Sequence, residues 1–578
     1  MRLNGQRRWA AAGVVVATAV ATAGIALSAP PAGAAPGCRV DYTANNWGGG
    51  GFGGKVKITN LGDAMSSWTL KFTFPGTQKV TQGWSANWSQ SGADVTATSM
   101  SWNGSLGTGA AAEIGFNGSY TGSTNADPAS FSLNGTICTG QPPTSTTTTT
   151  TTSDPGPGPG PGNRVDNPYV GAKMYVNPDW SAKAAAEPGG SRVANNSTGV
   201  WIDRIAAITG TVDSRGIAGH LDEAVRQAAG SPLVVQFVIY NLPGRDCSAL
   251  ASNGELKPTE IDRYKTEYID PIAAILAKPA YKDLRIVTTV EIDSLPNLIT
   301  NVTPRPTAVP QCDVMKANGN YITGVGYALA KLGAIPNVYN YLDIGHHGWI
   351  GWDDNFGPTA ELLFQAANAS GSTKANVQGF IANTANYGAV REPNFSINDS
   401  VGGKSVRESK WVDWNRYTDE LSYAQAFRQR AVQAGFDANV GMLIDTSRNG
   451  WGGAARPTGP GPQTSVDAYV NGGRLDRRIH LGNWCNQSGA GLGERPKAAP
   501  ADGVDAFVWM KPPGESDGAS KEIPNNEGKG ADKMCDPTYT GNVRNGNSMS
   551  GALPDAPLSG KWFSAQFQEL MRNAYPAL

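Results

Sequence analysis

The sequence carries little charge and no excess of either sign. Of its 578 residues only 16% are charged, with 47 lysines and arginines against 48 acids. A nucleic-acid-binding protein needs a basic face, which this composition does not supply, so we expect no nucleic-acid partner. The 72 glycines and 38 prolines fit a compact, loop-rich extracellular protein.

Hydrophobic runs of membrane length are scarce, and the one candidate lies at the N-terminus. A short segment containing Arg7 and Arg8 precedes an alanine-rich stretch over 10–29, and small residues follow up to Ala35. This order is typical of a secretory signal peptide, which we place at 1–35. A membrane anchor is the weaker alternative, because threonine and glycine interrupt the apolar core. We therefore expect a secreted, extracellular protein without a membrane partner, exported by the general or the twin-arginine route.

Metal-binding patterns are also missing. The chain has four histidines and six cysteines, and none shows a CxxC or HxxxH spacing. Most zinc sites carry such spacings, so we predict no metal and no cofactor. In an exported protein six cysteines predict three disulfides. Cys38 and Cys138 bracket one segment and are predicted to pair, whereas zinc ligation stays open as an alternative for the other four.

Residues 36–140 are predicted to form a self-contained β domain. Short runs alternate apolar and polar residues, Gly, Asn and Ser turns separate them, and no helical pattern appears. An antiparallel β-sandwich fits this pattern. Trp68 fits the core, whereas Trp47, Trp84 and Trp102 lie among turn formers and are predicted to be exposed. Flat indole faces suit a flat ligand such as a β-1,4-glucan.

The same segment resembles a family-2 carbohydrate-binding module. The resemblance covers residues 38–138 and is carried by the terminal cysteines and by NNWGGGGF, WTLKFTFP, VTQGW, SWNGS, GFNGS and FSLNGTIC. It implies a β-sandwich that binds crystalline cellulose through Trp47, Trp84 and Trp102. Trp88 is an extra aromatic residue without an assigned role.

Residues 141–165 are predicted to be a linker. A run of threonines is followed by PGPGPGPG, and such tracts stay extended because they cannot build a core. A flexible tether between a binding domain and a second domain raises the local concentration of that domain at a surface.

The remainder, 166–578, is predicted to be an α/β domain. Continuous apolar runs alternate with amphipathic, helix-like segments, which indicates a parallel sheet covered on both faces. The number of β/α units favours a complete or partial barrel over an open sheet. The apolar runs are Leu233–Tyr240, Leu284–Val290, Val338–Leu342, Val377–Ile381, Val440–Ile444 and Ala506–Met510.

Acidic residues follow most of these runs. In a parallel barrel the carboxyl ends of the strands share one rim, so these acids are expected to converge. Nearby tryptophans would complete a cleft suited to glycosidic bond hydrolysis, in which one carboxyl donates a proton and another activates water or attacks carbon. Helix caps or ion pairs are the plain alternative for any single acid. The acids are Asp246, Glu291, Asp293, Asp343, Asp445, Glu515 and Asp517.

Residues 167–578 resemble glycoside hydrolase family 6, the inverting cellulases. The motifs that carry the resemblance are VIYNLPGRDCSALASNGE, VEIDSLPNL, YLDIGHHGWIGW, GNWCN and FVWMKPPGESDG. The resemblance implies a distorted, incomplete parallel β/α barrel. One departure is visible, because Ile292 stands where the family usually has proline between Glu291 and Asp293.

The resemblance also implies roles for individual residues. Asp293 corresponds to the general acid, and Asp246 would raise its pKa by like-charge repulsion. Asp517 is the candidate base, and a water chain ordered by Ser252 is the alternative. Tyr240 would lie beside the cleavage point. Substrate-binding roles are implied for Trp201, Trp349, Trp352, Trp484, Lys511, Glu515, Asp343 and Arg245, and disulfides for Cys247–Cys312 and Cys485–Cys535.

Two long rim segments, 388–415 and 449–483, bear on whether the enzyme cuts cellulose at chain ends or at internal bonds. Loops of this length in a compact domain are usually functional or disordered, and Trp411 and Trp414 favour ordered loops that face substrate. We predict a roofed cleft and a monomeric cellobiohydrolase that acts on crystalline cellulose and cello-oligosaccharides from the non-reducing end. An endoglucanase of the same family is the alternative, and a non-catalytic cellulose-binding protein is the outside one.

Overall fold

The computed structural model describes residues 37–47, 50–62, 64–108, 110–121, 125–128, 130–138, 164–212 and 214–578. The predicted signal peptide and nearly all of the predicted linker lie outside these ranges. The chain divides into two compact units, 1–154 and 155–578. Within the described ranges no helix has both the length and the apolar character needed to cross a membrane.

The first unit contains two antiparallel sheets, ordered β1-β2-β7-β4 and β5-β6-β3-β8-β9. Strand β2 buries every second residue over most of its length, which fits a sheet with one face in a core. The strands are β1 (Cys38–Trp47), β2 (Gly51–Asn60), β3 (Thr69–Thr73), β4 (Lys79–Trp84), β5 (Asn87–Ser91), β6 (Asp94–Thr98), β7 (Ala111–Ser119), β8 (Phe131–Leu133) and β9 (Thr136–Ile137).

Aromatic residues fill the core of this unit. Trp68 and Phe116 are buried, as expected for Trp68. Trp88 packs against Phe116 with ring centroids 5.0 Å apart, so this extra tryptophan belongs to the edge of the core. The disulfide Cys38–Cys138 joins residues 100 positions apart. Closing a loop of that length stabilises a fold by about 4 to 5 kcal/mol in the chain-entropy model.

The second unit is built on a curled, mostly parallel sheet ordered β10-β12-β13-β14-β15-β18-β20-β19, with β11 also paired to β12. Only β19 runs antiparallel to its neighbour in this sheet, among the described residues. The strands are β10 (Lys173–Met174), β11 (Val200–Ile202), β12 (Leu233–Ile239), β13 (Arg285–Val290), β14 (Val338–Asp343), β15 (Gly379–Ala382), β16 (Ser400–Val401), β17 (Lys404–Ser405), β18 (Gly441–Asp445), β19 (Lys497–Ala501) and β20 (Val504–Val508).

Helices follow the strands, as the alternating sequence pattern predicts. A π-helical turn, Tyr264–Ile269, joins α4 to α5. The helices are α1 (Pro178–Ala186), α2 (Ile205–Thr209), α3 (Gly216–Ala228), α4 (Ile261–Arg263), α5 (Asp270–Leu276), α6 (Asn297–Thr300), α7 (Pro310–Asn318), α8 (Asn320–Gly333), α9 (His347–Ile350), α10 (Asp353–Ala367), α11 (Glu420–Ala434), α12 (Val466–Gly473) and α13 (Ser564–Arg572).

The sheet is a barrel that does not close. All seven residues of β12 are buried, because helices cover one face and residues inside the curl cover the other. The hydrogen-bonded order still has two ends, at β10 and β19. The predictions of an incomplete parallel β/α barrel in the second unit and an antiparallel sandwich in the first are confirmed.

Candidate active site

The predicted acids do lie at the carboxyl ends of neighbouring strands. Asp246 follows β12, and Glu291 and Asp293 follow β13. All three have left-handed backbones, with φ of 51°, 52° and 52°. Non-glycine residues adopt this conformation only where the surrounding structure imposes it, and such positions cluster at functional sites.

Asp293 is the partly accessible carboxyl of this group. Its main-chain amide donates a hydrogen bond of 3.0 Å to the Asp343 carboxylate. Burial raises the pKa of Asp293 well above its usual value, and the charges of Asp246 and Asp343 raise it further. Burial and these charges therefore favour the protonated form of Asp293, which is the form that a proton donor requires.

Asp246 is buried beside Asp293. The Tyr240 hydroxyl donates a hydrogen bond to its Oδ2, and the Ser252 hydroxyl bonds to it as well. Burial raises the pKa of Asp246 to about 6, and these hydrogen bonds oppose the rise. The structure thus brings together the three side chains that the loop after β12 was predicted to supply.

Two of the rim acids have structural partners instead. Glu291 accepts hydrogen bonds from the Leu242 amide and from the Tyr264 hydroxyl, at 3.1 and 2.8 Å. Asp445 accepts from the amides of Ala385 and Lys511, at 3.0 and 2.9 Å. Both carboxylates are fully engaged in holding loops, which is the plain alternative stated for strand-end acids.

Asp517 is buried and held by several donors. Arg448 Nη1 lies 2.8 Å from both of its oxygens. The Tyr387 hydroxyl and the Asn486 amide donate to Oδ2, both within 2.8 Å, while Lys511 Nζ lies 3.7 Å from Oδ1. Oδ2 is saturated, so Oδ1 is the oxygen that retains acceptor capacity for a water.

Arg245, for which the family resemblance implies a substrate-binding role, is held mainly by main-chain carbonyls. It is buried, with its guanidinium 4.1 Å from the Tyr240 ring. Nη1 donates to the Tyr240 and Asp203 carbonyls, and Nε donates to the Ser252 carbonyl at 2.8 Å. Because protein carbonyls occupy these donors, the structure makes Arg245 a brace for the loop that carries Asp246.

Trp201 and Glu515 both lie near Lys511. Trp201 and Glu515 line a cavity of about 100 Å³. The Trp201 indole donates to the Met510 carbonyl at 2.9 Å, and Lys511 Nζ lies 5.0 Å from its ring centroid. Burial raises the pKa of Glu515 to about 7. An indole with fixed polar neighbours is the arrangement expected of a sugar-binding subsite.

Trp349, Trp352 and Trp484 are all partly accessible. The Trp349 indole donates to the Thr300 hydroxyl at 2.8 Å, and the Trp352 indole donates to the Asp413 carbonyl at 2.7 Å. These hydrogen bonds fix the ring planes, which suits stacking against sugar rings.

The loops after β12 and β20 meet across the opening of the barrel. The Leu250 amide donates to the Asp532 carboxylate, and the Gly530 amide donates to the Leu250 carbonyl, both at 2.8 Å. The sequence analysis did not predict this contact. The available signal was the cysteines: the disulfides Cys247–Cys312 and Cys485–Cys535, implied by the resemblance, anchor these two loops.

The long segments 388–415 and 449–483 pack on each other through a small core of their own. The Glu392 carboxylate joins them by accepting the amide of Asp476 at 2.9 Å. In the sequence Trp411 and Trp414 indicate ordered loops that face substrate, and the two side chains differ in exposure. Trp411 is buried in the small core with the Arg474 guanidinium 3.8 Å from its ring, whereas Trp414 is exposed.

The loop after β14 carries two histidines close to a glutamate. His346, His347 and Glu420 have ligand atoms within 4.8 Å of one another, a spacing that could hold a metal ion. Glu420 already binds His347 Nδ1 at 2.6 Å, so the pair is satisfied without a metal.

Residues 514–518, GESDG, match the GxSxG esterase pattern, but Ser516 is fully buried and its hydroxyl donates to the Pro557 carbonyl.

The first unit presents two of the predicted cellulose-binding indoles. Trp84 is 43% exposed and Trp102 is 68% exposed. The Trp84 ring lies flat on β7, since a Cβ on Gly115 would come within 2.5 Å of it. The side chain of Trp47 lies outside the described part of the structure.

Comparison with known proteins agrees with both resemblances. The model of Glycosyl hydrolases family 6 matches residues 166–574. The model of the cellulose binding domain matches residues 38–138.

Individual relatives give the same result. Exoglucanase A of Cellulomonas fimi is 50% identical over 434 residues, which are 72% of this chain and 49% of that protein. The chain therefore spans about half the length of that relative. The catalytic domain of C. fimi Cel6B is 49% identical, with a TM-score of 0.69 over 72% of this chain and 96% of that one. Cellobiohydrolase II (Cel6A) of Humicola insolens, solved with glucose and cellotetraose, is 30% identical, with a TM-score of 0.55 over 71% and 100%.

Proposed function

Because the chain belongs to glycosyl hydrolase family 6, we propose that it is a secreted cellulase that hydrolyses β-1,4-glucosidic bonds with inversion and releases cellobiose from non-reducing chain ends. The observation that carries this proposal is the site of Asp293. Burial and the charges of Asp246 and Asp343 favour the protonated form of this carboxyl, and indoles held by hydrogen bonds lie at the same end of the barrel.

In the proposed reaction Asp293 protonates the glycosidic oxygen as the bond to the anomeric carbon breaks. Asp246 lies beside Asp293 as that proton is transferred, and the negative charge of Asp246 stabilises the oxocarbenium-like transition state. Tyr240 binds Asp246 and stacks edge-on against Trp201, with ring centroids 5.5 Å apart. This contact links the acid pair to the sugar platform and orients the ring under attack.

Water attacks the opposite face of the sugar, and its proton must leave. We propose that Asp517 accepts this proton at Oδ1, the oxygen that keeps acceptor capacity. The rival route passes through a water held by Ser252 to Asp246. Asp517→Ala should lose turnover on cellotetraose, and azide should restore part of it as the α-cellobiosyl azide. Unchanged turnover in Asp517→Ala would favour the Ser252 route.

Exo action is supported by the contact between the loops after β12 and β20. The Leu250, Gly530 and Asp532 contacts join two disulfide-anchored loops across the opening of the barrel. A chain inside such a cleft must thread from its end, whereas an open cleft admits internal bonds. The exoglucanase and cellobiohydrolase names of the relatives agree with this choice.

Further parts of the proposal concern the whole chain. The cellulose binding domain would hold the enzyme on crystalline cellulose through Trp84, Trp102 and Trp47. Secretion through residues 1–35 is supported by the three disulfides, which oxidising compartments favour. We propose a monomer without nucleic-acid or membrane partners, in keeping with its near-zero net charge.

Two measurements on the full chain test the proposal. Proton NMR of cellotetraose hydrolysis should show the α-anomer of cellobiose first, and a β-anomer would contradict inversion. The viscosity of carboxymethyl cellulose should fall slowly relative to the release of reducing sugar. A rapid fall would assign the protein to the endoglucanases of the same family instead.

A further inference from the structure

Trp414 is more exposed than any other aromatic side chain in the described residues of the second unit, at 57%. An indole in water forgoes the free energy of burying its large apolar surface. Asp413 is exposed as well, whereas Val412 and Asn415, which flank these two residues, are both buried. The exposure is therefore local to one turn.

The backbone is built to present this ring. Asp413 and Trp414 both have left-handed backbones, with φ of 45° and 64°. A bulky residue rarely adopts this conformation and does so where the flanking structure imposes it. On one side Val412 is fixed in the small core of the long segments. On the other side the Asn415 side-chain Nδ2 donates to the His347 carbonyl at 2.8 Å.

Arg407 braces the same turn. The Trp414 amide donates to the Arg407 carbonyl at 2.7 Å, and the guanidinium donates back to the Trp414 carbonyl at 2.5 Å. The guanidinium carbon lies 5.7 Å from the ring centroid. The indole is thus held by its backbone and by a cation on one side, while more than half of it stays open.

Trp414 directly adjoins the Trp352 platform. The Asp413 carbonyl, one residue before Trp414, accepts the Trp352 indole N–H at 2.7 Å. Arg416, two residues after it, forms two hydrogen bonds to Asp353, at 2.5 and 2.7 Å. The two indoles are therefore tied to each other through short contacts at one part of the rim.

We infer that Trp414 is a further sugar-binding residue, which stacks on the stretch of β-1,4-glucan that lies beyond Trp352, outside the cleft. The inference rests on the proposed cellulase function. A glucan chain leaving Trp352 presents flat C–H faces, and a rigidly held indole at the adjoining position offers the matching surface. Trp414 would guide long chains toward the cleft and would not contact chains short enough to end at Trp352.

The experiment compares full-length wild type with Trp414→Ala and Trp414→Phe on two substrates. Cellotetraose is short, and swollen cellulose at limiting concentration requires a long chain to be captured. For Trp414→Ala we expect the rate on swollen cellulose to fall about threefold to tenfold, the range for losing one exposed aromatic contact, with kcat/KM on cellotetraose unchanged. Trp414→Phe should recover part of the loss.

The matched control is Val170→Ala, which removes an exposed apolar side chain at the amino end of the sheet, where Arg285 binds the Val170 carbonyl. It should leave both rates unchanged. Equal rates of wild type and Trp414→Ala on swollen cellulose would overturn the inference. So would a change of oligomeric state in sedimentation, which would make the indole a protein contact. Failure of wild type to cleave cellotetraose would instead refute the proposed function.

Discussion

The amide of Asp293 donates to the carboxylate of Asp343 across neighbouring strand ends, at 3.0 Å. Asp343 therefore fixes the left-handed backbone of the proposed acid and also places a carboxyl beside it. Burial raises the pKa of Asp343 itself to about 7. One side chain thus controls both the position and the protonation of Asp293.

Asp343→Asn should move the basic limb of the kcat/KM profile to lower pH. Asp293 acts while protonated, so activity is lost as pH rises through its pKa. Removing the neighbouring charge lowers that pKa, and the loss then begins at lower pH. Asp343→Ala should also reduce kcat, since it leaves the Asp293 amide without its acceptor. A basic limb that stays in place in Asp343→Asn would contradict this role.

Asp293→Asn should lower kcat on cellotetraose by about 10²- to 10⁴-fold, the usual contribution of a general acid. The isosteric amide keeps the shape of the site but cannot donate the required proton. A 2,4-dinitrophenyl cellobioside, whose leaving group needs no protonation, should be far less affected. The comparison of the two substrates by steady-state kinetics is the measurement. Equal losses on both would assign Asp293 to a different step.

Glu392→Gln should flatten the dependence of stability on pH. Burial raises the pKa of Glu392 from the usual 4.5 to about 8. Because the folded pKa is the higher one, this stabilising contribution is complete below pH 4.5 and is lost as pH rises toward 8. The thermal unfolding temperature of the wild type should therefore fall more between pH 5 and 8 than that of the variant. The exposed Glu522→Gln serves as control and should follow the wild type.

Asp532→Ala should loosen the contact between the two disulfide-anchored loops. Losing the hydrogen bond from the Leu250 amide costs about 1 kcal/mol, so the open form should become about fivefold more populated. The fall in carboxymethyl cellulose viscosity per sugar released should then increase. Asp536→Ala, which removes a local turn contact to Thr538 in the same region, should not have this effect.

Replacing Trp84 and Trp102 together by alanine should weaken adsorption to crystalline cellulose by about tenfold or more, as expected when two anchoring aromatic contacts are lost. Turnover of cellotetraose should stay within about twofold of wild type, since the linker separates the units. Depletion isotherms measure the adsorption. Leu61→Ala, which removes another exposed apolar side chain of the same unit, should bind like wild type.

Strands were more predictable than side-chain roles. The apolar run Leu233–Tyr240 became β12, Leu233–Ile239, and Ala506–Met510 overlaps β20, Val504–Val508. Local hydrophobicity suffices here, because a strand buried on both faces needs apolar residues throughout. Arg245 shows the limit: the motif that contains it could be identified, but not that neighbouring carbonyls would occupy its donors.

The sequence by itself determined two domain types, a family for each, and the rim to which the acids belong, since these follow from local pattern and motif. Only the tertiary structure separated Glu291 from Asp293, which are two positions apart but have different partners. Only the tertiary structure joined Leu250 to Asp532, 282 positions away. A side chain's protonation and partners depend on groups that folding brings close. The local sequence does not show which distant residues these groups belong to.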